Sequence, residues 1–415
     1  MSDPCSYTNL SRRSFLAGAA TLATANLVPR VASAAGARDP RLVTIVLRGA
    51  LDGLATVVPV GDPNWGRLRD DAKLSPDGAA SGANGLPLES LFVLNPAMPK
   101  LHDLYRRGEA SFVHAVATPY RSRSHFDGQQ VLESGLPDVV REPTGWMNRL
   151  MEVIPASGMS DTRQSGLAVG PTVPLILRGA APVTAWSPMG DAVVAPDTLE
   201  RLLALYDLED PALHEAFASA VDTRRLVETM GPGTMADQSR ALKGIAKHYS
   251  DAARGAARLL RQPEGPRLAA LSFDGWDTHA NEGVVSGRLS RLLAGLDGAV
   301  DTLRTELGAA WRDTVVLVVT EFGRTAYENG NDGTDHGTGS VTMLVGGAIR
   351  GNTVIADWPG LADKDLFANR DLKPTADLHS IMRGVVKEAF DASDSQLATI
   401  FPNSSAGRNS GFTNF

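Results

Sequence analysis

Five stretches of the chain are almost wholly apolar and rich in β-branched residues. They are "LVTIVL" (residues 42–47), "ASFVHAVA" (110–117), "PRLAALSF" (266–273), "DTVVLVVT" (313–320) and "SVTMLVGG" (340–347). Continuous apolar runs, as opposed to alternating ones, predict strands covered on both faces. Helical spacing falls between them. Leu101, Leu104 and Tyr105 share one face of "NPAMPKLHDLYRRGE", with Gly108 at its end. "FDGQQVLESG" reads as a short helix closed by Gly135, and "SGRLSRLLAGLDGAVDTLRTEL" as a long amphipathic one. The alternation predicts an α/β fold: a doubly wound, mostly parallel sheet with helices on both faces. "LAVGPTVPLILRGAAPVTAW" reads as a strand with a hairpin-like excursion. Residues 197–262 are helical in pattern, as a layer of the main domain or an inserted cap, and the tail "FPNSSAGRNSGFTNF" predicts loose order.

The polar residues gather where these strands end. In an open parallel sheet, ligands sit beyond the carboxyl ends of the strands. Asp52 follows the first run, and Ser122, Ser124 and His125 follow the second. The third leads into "SFDGWDTHANE", which places Asp274, Asp277 and His279 within six residues. Glu321 and Arg324 follow the fourth, and Asp335 and His336 precede the fifth. Carboxylates, imidazoles and hydroxyls together suit a hard or borderline divalent cation. Asp52–Gly53 and Asp274–Gly275 also read as turns. Glu321 ends a very apolar strand and needs a partner, which a metal or Arg324 would supply. His102, His214, His248 and His379 fall on helical stretches, and His114 on a strand, where packing accounts for them.

Composition narrows the chemistry. Cys5 is the one cysteine, so thiolate clusters are excluded and any metal site uses nitrogen and oxygen ligands: Zn, Mn, Mg or Ca. The net charge of −7, with both signs dispersed, gives no footprint for nucleic acid. Near the N-terminus, Arg12 and Arg13 precede Phe15-Leu16, a weakly apolar Ala/Leu/Val run and the small-residue "ASA" at Ala32–Ala34. This predicts a twin-arginine signal over residues 1–34, recognised by the twin-arginine translocation machinery and cut near Ala34. The expected product is a periplasmic or secreted protein with no stable membrane anchor, folded before export as a single domain over residues 35–415.

Over nearly its full length the chain resembles the bacterial proteins grouped as domain of unknown function 1501. The resemblance rests on "SRRSFLAG", "LRGALDGLATVVP", "LNPAMPKLHDLYRRGEASFVHAVATP", "RSRSHFDGQQVLESG", "FDGWDTHAN", "VVTEFGRTAYENGNDGTDHGTGSVTMLVGG" and "RDLKPTADLHSIM". That family is similar to the alkaline phosphatase and sulfatase superfamily. The resemblance implies one or two divalent ions and a nucleophile at a helix N-terminus. It places Asp52 on one ion, and Asp277, His279 and His336 on the other. Glu321 stands where an aspartate followed by histidine is usual, but Phe322 follows here, and phenylalanine binds no metal. The nucleophile falls in "RSRSHFDGQQ" at Ser122 or Ser124, with His125 as ligand or base. Arg123 and Arg324 are the residues to bind the oxygens of an anionic ester. The expected function is metal-dependent hydrolysis of phosphate or sulfate esters. The alternative is a non-catalytic periplasmic or extracellular binding or assembly factor with a degenerate site. A redox role has only the export signal behind it, since no dinucleotide or haem motif occurs.

Overall fold

The computed structural model describes residues 38–69, 74–75, 83–141, 143–154, 165–170, 172–188, 244–404 and 411–415. Residues 40–415 cluster as one unit. The expected signal and most of the 197–262 segment lie outside the described residues.

Nine strands form the main sheet: β1 (Arg41–Arg48), β2 (Ala110–Ala117), β3 (Gly166–Val169), β4 (Val183–Trp186), β5 (Leu268–Asp274), β6 (Thr314–Thr320), β7 (Ser340–Val345), β8 (Thr353–Ile355) and β9 (Ala376–Asp377). Their order is β8-β2-β7-β6-β1-β5-β3-β4, with β9 pairing with β2. All five apolar runs are strands of this sheet. Every pairing is parallel except those of β7, which runs antiparallel to both β6 and β2.

β1 shows why these runs carry no polar face. Val43, Ile45 and Leu47 point into one core, and Leu42 and Val46 into the other. β6 divides likewise, with Val316 and Val318 on one side and Val315, Leu317 and Val319 on the other. The first core is covered by α1 (Pro99–Arg106), α4 (Ile245–Leu260) and α5 (Arg288–Leu307). The second is covered by α3 (Trp146–Val153), α6 (Leu378–Phe390) and α7 (Asp394–Ile400). Between α1 and α3 in sequence lies α2 (His125–Ser134), closed by Gly135 in the left-handed conformation at φ 67°. In α4, Gly255 sits under the Trp186 ring, where an added Cβ would come within 2.0 Å of it.

Two expectations change. The excursion after β3 is not a hairpin, since β3 and β4 pair parallel. The connection carries a 3₁₀ turn at Leu175–Leu177, and Asn148 of α3 staples it, donating to Leu177 O and Ala181 O and accepting from Ala181 N. The end of the tail is fixed. Phe412 is buried, and Glu388 Oε2 accepts from Phe412 N (3.0 Å), Thr413 N (2.7 Å) and Thr413 Oγ1 (3.0 Å). Phe412 and Phe415 pack on the second core, and Thr413 bridges to Ile349, which together dock the segment.

His114 lies wholly buried in β2. Its Nε2 donates to Val57 O (2.8 Å) and its Nδ1 accepts from Ala115 N (2.8 Å), while Phe92 stacks on the ring. The ring is therefore neutral. Burial pushes its pKa down to about 4, whereas the unfolded imidazole titrates near 6.5. As pH falls the unfolded chain takes up the proton first, so this contribution is complete above about 6.5 and lost toward about 4. Urea titrations should show about 3 kcal/mol of stability vanishing across that window. A His114→Gln variant should lack that part of the pH dependence.

Candidate metal centre

The antiparallel course of β7 brings its amino end to the edge where the parallel strands have their carboxyl ends. His336, which precedes β7, therefore joins the loops that follow β2, β5 and β6. There His125 Nε2 lies 3.0 Å from His336 Nε2, and His279 Nε2 also lies 3.0 Å from it. Asp277 Oδ1 is 3.0 Å from His279 Nε2 and 3.2 Å from His336 Nε2, and Asp277 Oδ2 is 3.5 Å from His125 Nε2. Among the described residues, His125, Asp277 and His336 form a group able to hold a metal ion.

The outer nitrogens decide what the inner ones can do. His125 Nδ1 faces Glu321 Oε1 (2.8 Å), His279 Nδ1 faces Asp335 Oδ1 (3.2 Å) and His336 Nδ1 faces Arg123 O (3.0 Å). All three partners are acceptors, so each Nδ1 carries the proton. The Nε2 lone pairs of His125 and His279 then both face that of His336, and the Asp277 carboxylate lies against all three. That arrangement is repulsive unless a proton or cation sits between them. The protons are contested: Glu321 raises the pKa of His125, whereas burial and then His125 itself lower that of His336. A tetrahedral ion with bonds of about 2.0–2.1 Å holds its ligand atoms about 3.3 Å apart, which matches the observed spacings. The donor set fits a divalent cation.

Loop chemistry fixes each donor. At Gly49, φ is 118°, and an added Cβ would lie 2.5 Å from Asp277 N. The turn after β1 can press against the Asp277 backbone only because that residue is glycine. Arg123 also has a positive φ of 59°, and its carbonyl meets His336. Its guanidinium is held by Asp371 Oδ2, with Nε at 3.0 Å and Nη2 at 2.5 Å. Phe322 stacks on His125, ring centroids 5.0 Å apart, as an apolar wall.

The structure reassigns three of the expected residues. Asp52 caps the helical turn Gly53–Thr56 through Ala55 N (3.1 Å) and pairs with buried Arg69 (2.7 Å). Both of its oxygens are used away from the imidazoles. Glu321 is fully buried and accepts from Gly49 N (2.8 Å), His125 Nδ1 and Gln129 Nε2 (3.0 Å). Burial pushes its pKa up, but these hydrogen bonds win and hold it below the usual range. Its Oε1 orients His125, and its Oε2 accepts from Thr320 Oγ1. Arg324 is also buried: Nη1 donates to Asp277 Oδ1 (2.5 Å) and Nε to Thr334 Oγ1 (3.0 Å). It holds Asp277 and is not presented to a substrate. Burial raises the pKa of Asp277, and the hydrogen bond from Arg324 brings it below the ordinary value.

Ser124 is the N-cap of α2 and makes no side-chain cap bond, whereas Ser122 is exposed two residues earlier. Glu282 was given no role by its sequence context. It is buried, and its two oxygens accept from Thr278 Oγ1 (2.8 Å) and Thr334 Oγ1 (3.0 Å). Thr278 lies between Asp277 and His279, and Thr334 precedes Asp335 and His336, so Glu282 ties the two ligand loops together. Burial, then Asp52, pushes its carboxyl up to about 8.

Residues 108–400 match the family model described as protein of unknown function, DUF1501. The chain belongs to this family. The matched span includes His125, Asp277, His279, Glu321 and His336 but not Asp52. No curated protein matches the chain. Similar solved structures include the C-terminal periplasmic domain of EcEptC from Escherichia coli (10% identity, TM-score 0.39, covering 90% of this chain and 89% of that one). Others are BT1596, a 2-O GAG sulfatase (12%, 0.33, 88% and 75%), and the phosphonate monoester hydrolase of Agrobacterium radiobacter (12%, 0.32, 88% and 78%). At these scores none carries an activity over to the DUF1501 chain.

Asp52→Asn leaves the Arg69 charge buried without its counterion. It should cost about 3–5 kcal/mol in urea denaturation and leave the metal content of the folded protein unchanged. Loss of metal at undiminished stability would restore Asp52 as a ligand.

Proposed function

We propose that this DUF1501 protein is an exported, metal-dependent hydrolase of phosphate or sulfate esters. The observation that carries the reading is the meeting of His125, Asp277 and His336 in one group able to hold an ion, with His279 against His336 and Asp277 and each imidazole held by an acceptor behind it. His125, Asp277 and His336 would hold one ion, with His279, which lies against His336 and Asp277, as its fourth ligand. Three nitrogens and one carboxylate favour zinc or a similar borderline ion over Mg or Ca, which prefer oxygen. Among the described residues the expected donors of a second ion are used elsewhere: Asp52 pairs with Arg69, Glu321 stands behind His125, and Phe322 offers none.

The bound cation would polarise an ester oxygen and lower the pKa of a nearby hydroxyl. Ser124 supplies that hydroxyl. It stands at the N-terminus of the ten-residue α2, whose first-turn N–H groups and dipole favour an anionic group. Arg324 keeps Asp277 ionised and aimed inward, and Glu321 keeps the lone pair of His125 facing the centre.

No helix among the described residues is long and apolar enough to cross a membrane. Export through the twin-arginine machinery, which passes folded chains, belongs to the same reading, since it would let the ion be loaded first.

Elemental analysis of the purified protein should find about one equivalent of a transition metal. A His279→Ala/His336→Ala double variant should lose it. With aryl phosphates and aryl sulfates, Ser124→Ala should lower kcat by about 10³-fold or more. Bound metal with no turnover, and no effect of Ser124→Ala, would favour the binding or assembly role. A metal-free, equally stable native protein would end the hydrolase reading.

A further inference from the structure

A cleft of about 550 Å³ opens at the carboxyl ends of β1, β3 and β5, beside the candidate metal centre. Its wall is the same α2 that begins at His125. Gln129 of that wall donates to Glu321, the residue behind His125, so the cleft is one side chain away from the imidazoles. From α2 the neighbouring Phe126 and Gln130 also line it, one helical turn apart.

Phe126 is 89% exposed, the most exposed large apolar side chain among the described residues. An aromatic ring left in water next to a candidate ligand gives nothing to folding. It offers a flat face. The polar groups around it are balanced. The Asp274 carboxylate and the Arg178 Nη groups make no hydrogen bonds among the described residues. Arg48 is already paired with Glu133 and Gln129. Arg48 and Arg178 are the cations of the lining and Glu133 and Asp274 its anions, and Arg178 also acts on Glu133, so the cleft carries no net formal charge and favours neither a second anionic group nor a cation. Amides, a carboxylate and a guanidinium side by side suit hydroxyls, which donate and accept at once. A polyhydroxylated ring with one apolar C–H face meets both requirements. Phe273 of the lining is buried but His248 is exposed, so a nucleobase, which would use a second ring face, is the competing ligand to set beside the sugar. A lipid chain would want a wall with fewer polar groups.

We infer that this cleft is a carbohydrate subsite: the ester held at the metal centre is carried by a neutral sugar ring, with Phe126 as its stacking platform and Gln130, Arg178 and Asp274 reading its hydroxyls. The inference rests on the hydrolase reading for the ester, but binding of the sugar requires no turnover.

Saturation-transfer NMR on the purified full chain tests it, using methyl glycosides of glucose, galactose and mannose beside adenosine and octanol. Transfer should reach the ring C–H protons of at least one glycoside. It should be lost in Phe126→Ala and kept in Phe126→Trp, both of which should melt like the native protein because the side chain is exposed. Transfer to adenosine or octanol alone, or glycoside transfer that Phe126→Ala leaves intact, overturns the inference. Aryl ester turnover, measured separately, tests the hydrolase reading, so the two can fail independently.

Discussion

The outward anchoring of three imidazoles is the constraint on which the site depends. A histidine whose Nδ1 donates to a fixed acceptor has one free lone pair with a set direction. Here two such lone pairs, those of His125 and His279, face that of a third, His336. The cost of that convergence is met by the network behind it. Glu321 is buried without a formal counterion in contact, yet Gly49, His125 and Gln129 all donate to its carboxylate. Gln129 in turn accepts from Arg48, which pairs with buried Glu133. A buried carboxylate is tolerable only when so many donors surround it. The ends of β1 and β6 and the body of α2 are thereby locked into one polar unit.

The ligand loops are tied to each other as well as to the sheet. Arg324 spans from Asp277 to Thr334, and Glu282 spans from Thr278 to Thr334. These contacts join segments about fifty residues apart, through side chains that are buried or nearly so. Loops held this way keep their donors in place without help from helix or strand geometry. Gly49 and Arg123 contribute backbone shapes that ordinary residues seldom adopt, and both sit where a backbone group must meet a ligand loop.

Much of the scaffold was readable because its signal is local. A strand buried on both faces must be apolar throughout, and the five apolar runs are all strands. Asp277, His279 and His336 stood out because a polar cluster after or before such a run has no packing reason to be there. His125 was singled out with Ser122 and Ser124 in one short loop. Asp52, Glu321 and Arg324 were singled out for the same reason, but residue type alone gave them the wrong partners. A buried charge announces that it needs a partner, and the partner is a matter of distance. Arg69, His125 and Asp277 lie 17, 196 and 47 positions away from them. The parallel pairing of β3 with β4 was missed because turn residues mark where a chain bends and not which way it returns.

The sequence by itself determined the α/β class, the two-sided burial of the sheet and the ligand chemistry available, since one cysteine outside the described fold leaves only nitrogen and oxygen donors. It also determined which loops carry those donors. The tertiary structure alone decided that β7 runs backwards, and this reversal is what brings His336 to the edge where His125, Asp277 and His279 wait. It alone decided which carboxylates face inward and which stand behind an imidazole. Strand direction and lone-pair direction depend on contacts across the whole sheet, and no local pattern of residues encodes them.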